Sequence, residues 1–509
     1  MNRTMKKSLV AVSVIVVLGA AWTGASWYTG KLMEQRMSEI VDNANSQIKR
    51  LAPQAGLKLA YTDYHRGTFS SKVRYILQPD GTITGENAVM KPGEEIAFIE
   101  TIDHGPFPMA QLKKFNLIPS MASVHSELEN TAAVKALFDI TKGKSPFTAD
   151  SRIGYNGSTD SAIKLIPITY EKDGLNLNFS GASLDAAFSK DMRDVKLNGE
   201  SDSIVLFKKN EMDQVETFTV KGLSLKNDSK TGKFDLSIGD QNLSIKQVLL
   251  SVEGKEALVL DGFTLTSQMG ESDKNLNGKL SYTLDSLKIQ GNDFGSGKLN
   301  FTFAGLDGEA VKNFATSYNQ IAMQGLQTGN IDPETYQLQM TELVLTKLPS
   351  LLKGDPSFSI SPLSWKNGKG ESALKLDVVL ADPSKVTTPI TSQEEILTRA
   401  IKKIDANLTI PMPMATEFTT QAARLQGYSA EEAAKMAVQQ VQGVAAMGQM
   451  FKLTTTKDDV ISSSFSFADN KIDLNGQKMT LQEFAGLFGM FGGMPQEEEA
   501  PAAEAPAAE

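Results

Sequence analysis

The 509-residue sequence contains three histidines, His65, His104 and His125, and no cysteine. Imidazole exchanges protons near neutral pH and is the commonest protein ligand for metals. A metal site would gather it with carboxylates at helical or hairpin spacing; here the histidines are scattered and no H-x-x-x-H occurs. Asp103-His104-Gly105-Pro106-Phe107-Pro108 sets a carboxylate beside an imidazole, the pairing that general acid–base catalysis uses. Neighbours along a strand point to opposite faces, so Asp103 would not orient the His104 ring. A structural role for His104 in the turn is the favoured reading, and a hydrolase acting through His104 is the minor one. His65-Arg66-Gly67 is a second strand-to-turn element. G-x-S-x-G, G-x-x-x-x-G-K-[ST] and H-E-x-x-H are absent, and each would have carried a specific chemistry. No residue is assigned to catalysis, a cofactor or a metal, and the chain is expected not to be an enzyme.

Composition narrows the classes further. Without cysteine there are no disulfides, thiolate zinc sites or thiol nucleophiles. A formal charge of −9 leaves no basic stripe to neutralise phosphates, which excludes nucleic acid as a partner. The length predicts roughly two to four domains.

Leu9 to Tyr28 is the stretch that would place everything else. It is apolar and uncharged, with Leu9, Ile15 and Leu18 inside it and Trp22, Trp27 and Tyr28 toward its outer end. As a helix it would measure about 30 Å, the thickness of a bilayer's hydrocarbon core. Arg3, Lys6 and Lys7, in a basic flank over residues 1–8, argue for a cytoplasmic N-terminus and a translocated body. A cleaved signal peptide is the rival reading. The length of the apolar run and the bulky Trp22 favour retention. Ala20/Gly24 and Ala21/Ala25 are small-residue pairs that would let two such helices pack as a homodimer.

Residues 31–52 continue as an amphipathic stalk helix, with Leu32, Met33, Met37, Ile40, Val41, Ala44, Ile48 and Leu51 at three- and four-residue spacing. Residues 57–303 change to period-two alternation, which predicts an antiparallel meander with one wet face and one buried or bound face. In GKLSYTLDSLKIQG, Leu280, Tyr282 and Leu284 share a face, and the phase then shifts to Leu287 and Ile289. Gly222, Asn227/Asp228, Gly239/Asp240, Gly262 and Gly291/Asn292 read as turns at intervals of about ten residues. Residues 308–353 form a helical block, with Asp332-Pro333 opening its second helix. Residues 356–494 mix strands and helices. Asn367-Gly368 marks a hairpin, Ser392/Glu395 and Ser429/Glu432 mark capping boxes ahead of 396–404 and 433–450, and Pro413 to Leu425 is a third helix. Residues 495–509 are Glu, Ala and Pro apart from Gln496 and are expected to be disordered. The fold class expected is α+β: an N-terminal transmembrane helix and a large antiparallel β-rich periplasmic body with helical blocks.

MKKSLVAVSVIVVLGAAWTGASWYTGK, DYHRGTFSS, DHGPFPMAQLKKFNLIPSMAS, SVEGKEAL, LLKGDPSFSISPLSWKNGKGESAL, LTIPMPMATEF and MGQMF together resemble the YdgA/YihF family of bacterial envelope proteins of unknown function. The resemblance covers nearly the whole chain. It implies an inner-membrane anchor with a periplasmic body, and it supplies no activity or catalytic residues. A looser architectural likeness is to AsmA-type proteins, whose strand-rich bodies are ascribed a lipid-binding groove. The expected partners are therefore the membrane, a lipid ligand on an apolar sheet face, and a second copy. The alternative function is a scaffold for envelope proteins.

Overall fold

The computed structural model describes residues 3–51, 55–83, 89–172, 174–328, 333–382, 385 and 399–489. Two compact units make up the chain, Met1–Gly354 and Asp355–Glu509.

The first unit opens with helix α1 (Arg3–Leu51). Strands β1 (Leu57–Arg66), β2 (Ser70–Pro79) and β3 (Ile96–His104) follow, then the short helix α2 (Met109–Lys113), β4 (Ala122–Leu128), helix α3 (Lys135–Ile140) and β5 (Phe147–Ile153). Next come β6 (Thr159–Leu165), β7 (Ile168–Lys172), β8 (Leu175–Phe179) and β9 (Ala182–Phe188). Six long strands complete the sheet: β10 (Asp194–Lys209), β11 (Val215–Thr231), β12 (Ser237–Val252), β13 (Lys255–Glu271), β14 (Asn275–Ile289) and β15 (Asn292–Asp307). Helices α4 (Gly308–Thr328) and α5 (Pro333–Leu351) close the unit. Every pairing is antiparallel, and the strands lie in the order β1-β2-β3-β4-β5-β6-β9-β10-β11-β12-β13-β14-β15. The β7–β8 hairpin pairs with the second half of β10, beyond the stretch that β9 occupies.

The expected meander is thus present, but its strands are longer than the sequence punctuation implied. Gly222, Asn227/Asp228, Gly239/Asp240 and Gly262 lie inside strands, not between them. Gly222 and Gly262 adopt φ of 63° and 66°. Glycine enters that region without a Cβ penalty, so the strand kinks and continues. Asp228 needs no turn, because a polar side chain is at home on a wet sheet face, and Asn227, on the other face, donates to Val195 O at 3.0 Å and Ser229 Oγ at 2.9 Å within the sheet.

In the second unit β16 (Ser357–Asn367) and β17 (Gly370–Leu380) form the hairpin marked by Asn367-Gly368, and β18 (Ile401–Pro411) pairs with β17. Helices α6 (Met412–Leu425) and α7 (Ala430–Met450) precede β19 (Thr455–Lys457), β20 (Val460–Ala468), β21 (Lys471–Leu474), β22 (Gln477–Thr480) and α8 (Leu481–Gly489). Ser429 and Glu432 make the reciprocal capping box at the start of α7. The helix expected over 396–404 is corrected: from Ile401 the chain is strand, held between β17 and β20, and ladder pairing on both edges overrides a local helical pattern. Its proposed cap, Ser392/Glu395, lies outside the described residues, as do Asp332 and 495–509.

The expected α+β class with a transmembrane helix is also corrected. The protein is a large antiparallel sheet structure with few helices, and among the described residues no helix is long and apolar enough to cross a membrane. The stretch read as the outer end of a span is occupied with protein contacts. Ser26 and Thr29 are buried, the Trp22 indole N–H donates to the Phe107 carbonyl at 3.2 Å, and the Trp22 and Phe69 rings lie 5.0 Å apart. Single-pass placement in an inner membrane, which rested on that span, falls with it. The side chains of Arg3, Lys6, Lys7, Leu9, Ile15 and Leu18 lie outside the described set.

Candidate functional site

The two motifs singled out in the sequence meet on one surface of α1. Ser26, Thr29, Gly30, Met33, Met37 and Val41 are the buried residues among those described on that helix, spaced three and four apart as one helical face requires. Met33 and Met37 pack on Val73, Ile102, Ala122 and Val124 of β2, β3 and β4. Gly30 lies against the His104 ring so closely that a Cβ there would run into it. Arg66 Nε binds Glu34 at 3.0 Å, and its guanidinium stands 5.5 Å from the Trp27 ring centre. Trp27 and Tyr28 are otherwise exposed. Gly67 N–H donates to Ser70 O at 2.7 Å to close the turn. Gly105 and Pro106 bond to the segment before β4, through Met121 O and Ser120 N–H, and Pro108 is fully buried. His65 is exposed on β1.

His104 is 1% exposed. Its Nδ1 lies 3.2 Å from the Thr68 carbonyl and its Nε2 2.7 Å from Ser71 Oγ. A carbonyl only accepts, so Nδ1 carries the proton and the Ser71 hydroxyl donates to Nε2. Tyr64 OH lies 3.2 Å from the same Ser71 oxygen and completes the chain of bonds. Burial holds the imidazole below its usual pKa, against the Thr68 bond and the Asp103 charge, while the Arg66 charge adds to the depression. Asp103 turns away, as the strand geometry predicts, and accepts the Ala110 N–H of α2 at 2.8 Å. A serine hydroxyl on an imidazole resembles the first half of a hydrolase triad, but no carboxylate reaches Nδ1 and the pair is sealed under α1. The arrangement clamps α1 to the sheet.

Sequence reasoning did not find Gly30, Thr68 or Ser71. The signal for Gly30 was a glycine within a helical pattern, which usually has a packing reason. It also missed Arg74, which is gripped by Glu95 and Glu129 at 2.5 Å each and is held above its usual pKa by both. His125, on the opposite face from His104, bonds Asp150 at 2.7 Å and Glu127 at 3.1 Å; the Asp150 bond raises its pKa.

Register assigns the remaining sheet surface. Residues paired directly across neighbouring strands share a face. On the face that α1 covers over β2–β5, one row runs from β6 to β15: Ile163, Leu184, Gly199, Leu225, Leu243, Leu265, Tyr282 and Leu299. Beside it run Leu223, Ile245 and Phe263, and on its other side Asn227, Gln241 and Ser267. At the far edge Met269 and Phe303 pack near Val311 of α4. Between α1 and α4 the row stays half-buried, with Leu225 39% exposed. The row crosses β6 and β9 to β15, and at ~4.8 Å per strand it spans roughly 35 Å.

The opposite face is polar. Arg152, Asp160, Lys196, Asp228, Asp240, Gln268 and Lys279 fall on one row. Asp150, Asp185, Asn198, Lys226, Asn242, Thr266 and Ser281 fall on the next. Between these rows lie two open cavities of about 410 and 400 Å³. Arg152–Asp160 and Lys196–Asp228 ion pairs cross the strands there.

The family described as "Bacterial protein of unknown function (DUF945)" matches residues 5–482. The chain is 45% identical over 492 residues to "Protein YdgA" of Escherichia coli strain K12, covering 96% of this chain and 97% of that one. It is 28% identical over 490 residues to "Uncharacterized protein YihF" of the same strain, covering 94% and 98%. A Haemophilus influenzae protein described only as uncharacterized is 25% identical over 324 residues, or 60% of this chain and 84% of that one. No solved structure matches. A match over nearly the whole length, with relatives of the same length, makes this chain a member of the DUF945 family, the YdgA/YihF proteins of unknown function.

Proposed function

We propose that the protein is a non-enzymatic lipid-binding protein that holds an acyl chain across its strands, on the apolar floor running from Ile163 to Leu299. One observation carries the reading: a row that is aliphatic except at Gly199 and Tyr282, half-buried except at the more exposed Leu225, crosses the sheet from β6 to β15. Water against such a row is unfavourable by about 25 cal/mol per Å² of apolar surface, so an extended hydrocarbon has a driving force to cover it. The row offers no hydrogen-bonding side chain between Leu184 and Leu265, which suits a methylene chain and disfavours a peptide or a glycan. Asn227, Gln241 and Ser267 border it and would meet the polar end of an amphipathic ligand.

The test is extraction and mass spectrometry of the full-length protein purified without detergent, beside the floor variant Leu243→Asp and the opposite-face variant Asn242→Asp. The reading expects lipid at reproducible stoichiometry in the parent and in Asn242→Asp, and its loss from a folded Leu243→Asp. A stable, lipid-free parent protein that takes up no added phospholipid would remove it.

A further inference from the structure

The turn after α2 displays apolar side chains in a way that burial does not explain. Phe115 is 93% exposed, Leu117 69% and Ile118 56%, with Met109 also exposed beside them. Single exposed apolar residues are ordinary, but a contiguous group marks a contact surface. The group is also rigidly presented. Phe115 has φ of 56°, a left-handed backbone that a bulky residue adopts only when its surroundings hold it there. The holding bonds are all directed inward. Asn116 Nδ2 donates to Gln111 Oε1 at 2.9 Å, and Gln111 Nε2 donates to buried Ser123 at 2.9 Å. Ile118 N–H donates to Asn116 Oδ1 at 3.1 Å, and the N–H groups of Phe115 and Asn116 donate to Leu112 O and Gln111 O at 3.0 Å each. The tip thus points hydrocarbon outward while the N–H groups of Phe115, Asn116 and Ile118 and the Asn116 amide are bonded from behind.

We infer that the turn at 109–118 is a docking tip for a lipid surface, in which Phe115, Leu117 and Ile118 enter the headgroup and upper acyl region. Each N–H group bonded internally lowers the cost of bringing the segment toward hydrocarbon. Lys113 and Lys114 form a basic collar at the base, where lipid phosphates would lie, and Lys114 stays more than half exposed although it pairs with Asp150 at 3.1 Å. A protruding apolar tip with a basic collar fits a bilayer better than a protein groove, which would need complementary concave walls. Such a tip lies on a membrane and requires no segment that spans it. The inference stands on residues separate from the apolar floor and does not depend on it.

The absence of cysteine makes the test specific. Leu117→Cys and, as control, Met212→Cys at another exposed hairpin tip (74% exposed) are labelled with nitrobenzoxadiazole in the full-length chain. Each is titrated with phosphatidylcholine–phosphatidylglycerol vesicles. The label at 117 should brighten and shift to the blue while the label at 212 stays in water. Adding Phe115→Asp and Ile118→Asp should move the lipid midpoint up by at least about tenfold, with unchanged circular dichroism. A label at 117 that remains in water overturns the inference, even where the protein sediments with vesicles through another segment. So does an equal response at 212. Failure of lipid copurification on the floor would leave either result intact.

Discussion

His104 and His125 lie on opposite faces of the same sheet, and their environments push them in opposite directions. His104 is buried as the neutral ring between Thr68 and Ser71, with Gly30 of α1 against it, Arg66 adding to the cost of charging it, and Asp103 offsetting part of that cost. Its folded pKa is below 6.5, so the unfolded chain takes the proton first on acidification. Stability from this site is therefore complete above pH ~6.5 and falls as pH drops from there toward the folded pKa. His125 gains Asp150 and Glu127, and its folded pKa is above 6.5. Its contribution is complete below pH ~6.5, is lost as pH rises through the folded pKa, and is small because the side chain is exposed. With three histidines in the chain, imidazole signals can be assigned by substitution and followed by NMR. His125 should titrate above the ordinary imidazole value and His104 below it. Urea midpoints of the parent should decline as pH falls below about 6.5, and those of His104→Gln should lose that decline. A parent with a flat midpoint over that range would mean that α1 does not depend on a neutral His104.

Among the elements, the long strands share a discontinuity on one line. Asp202, Gly222, Lys246, Gly262 and Asp285 sit at corresponding positions of β10 to β14, and each falls in a gap between directly registered pairs. On either side the apolar phase changes, from Leu243 and Ile245 to Val248 and Leu250 in β12, and from Tyr282 and Leu284 to Leu287 and Ile289 in β14. The two glycines with positive φ provide the kink. Gly262→Ala would place a Cβ on the Asp285 carboxylate in a left-handed backbone, at a cost of about 1–2 kcal/mol or more. Gly270→Ala, with open space around it and no positive φ, should cost no more than about 1 kcal/mol; equal unfolding midpoints for the two would refute the kink. The alternation and the phase shift at Leu284/Leu287 were legible in the sequence, because period and phase are local. The turns at Gly222 and Gly262 were misread, because a glycine that kinks a strand and one that ends it look alike until the neighbouring strand is known. The clamp on α1 was not legible for a similar reason: Ser71, His104 and Gly30 are distant in sequence, and only strand register and helix docking unite them. The helix expected at 396–404 failed where ladder pairing outweighed a capping pattern.

At the scale of the first unit, helices bracket the apolar face without covering its middle. α1 seals β2–β5 through Met33 and Met37, and Val311 of α4 packs at the β13–β15 end. The half-buried row between them starts at Ile163 and ends at Leu299, so its length is set by the fold and not by any one pocket. A binding surface of that kind measures its ligand, since each strand crossed adds ~4.8 Å of contact. Leu184→Arg places a charge near one end, beside Gly199, whereas Leu243→Arg places it in the middle. If an acyl chain lies along the row, the end variant should keep binding but shift the extracted lipid toward shorter chains, and the central variant should lose most of it. Each buried methylene is worth ~0.8 kcal/mol, so losing the contact of two or three methylenes at one end should weaken long-chain ligands by roughly ten- to a hundredfold and leave short ones nearly unchanged. Chain-length profiles from mass spectrometry of the two variants decide the matter. Equal loss across all lengths in Leu184→Arg would show that the ligand is held at a point and not along the row, and the transverse placement of the chain would have to be abandoned.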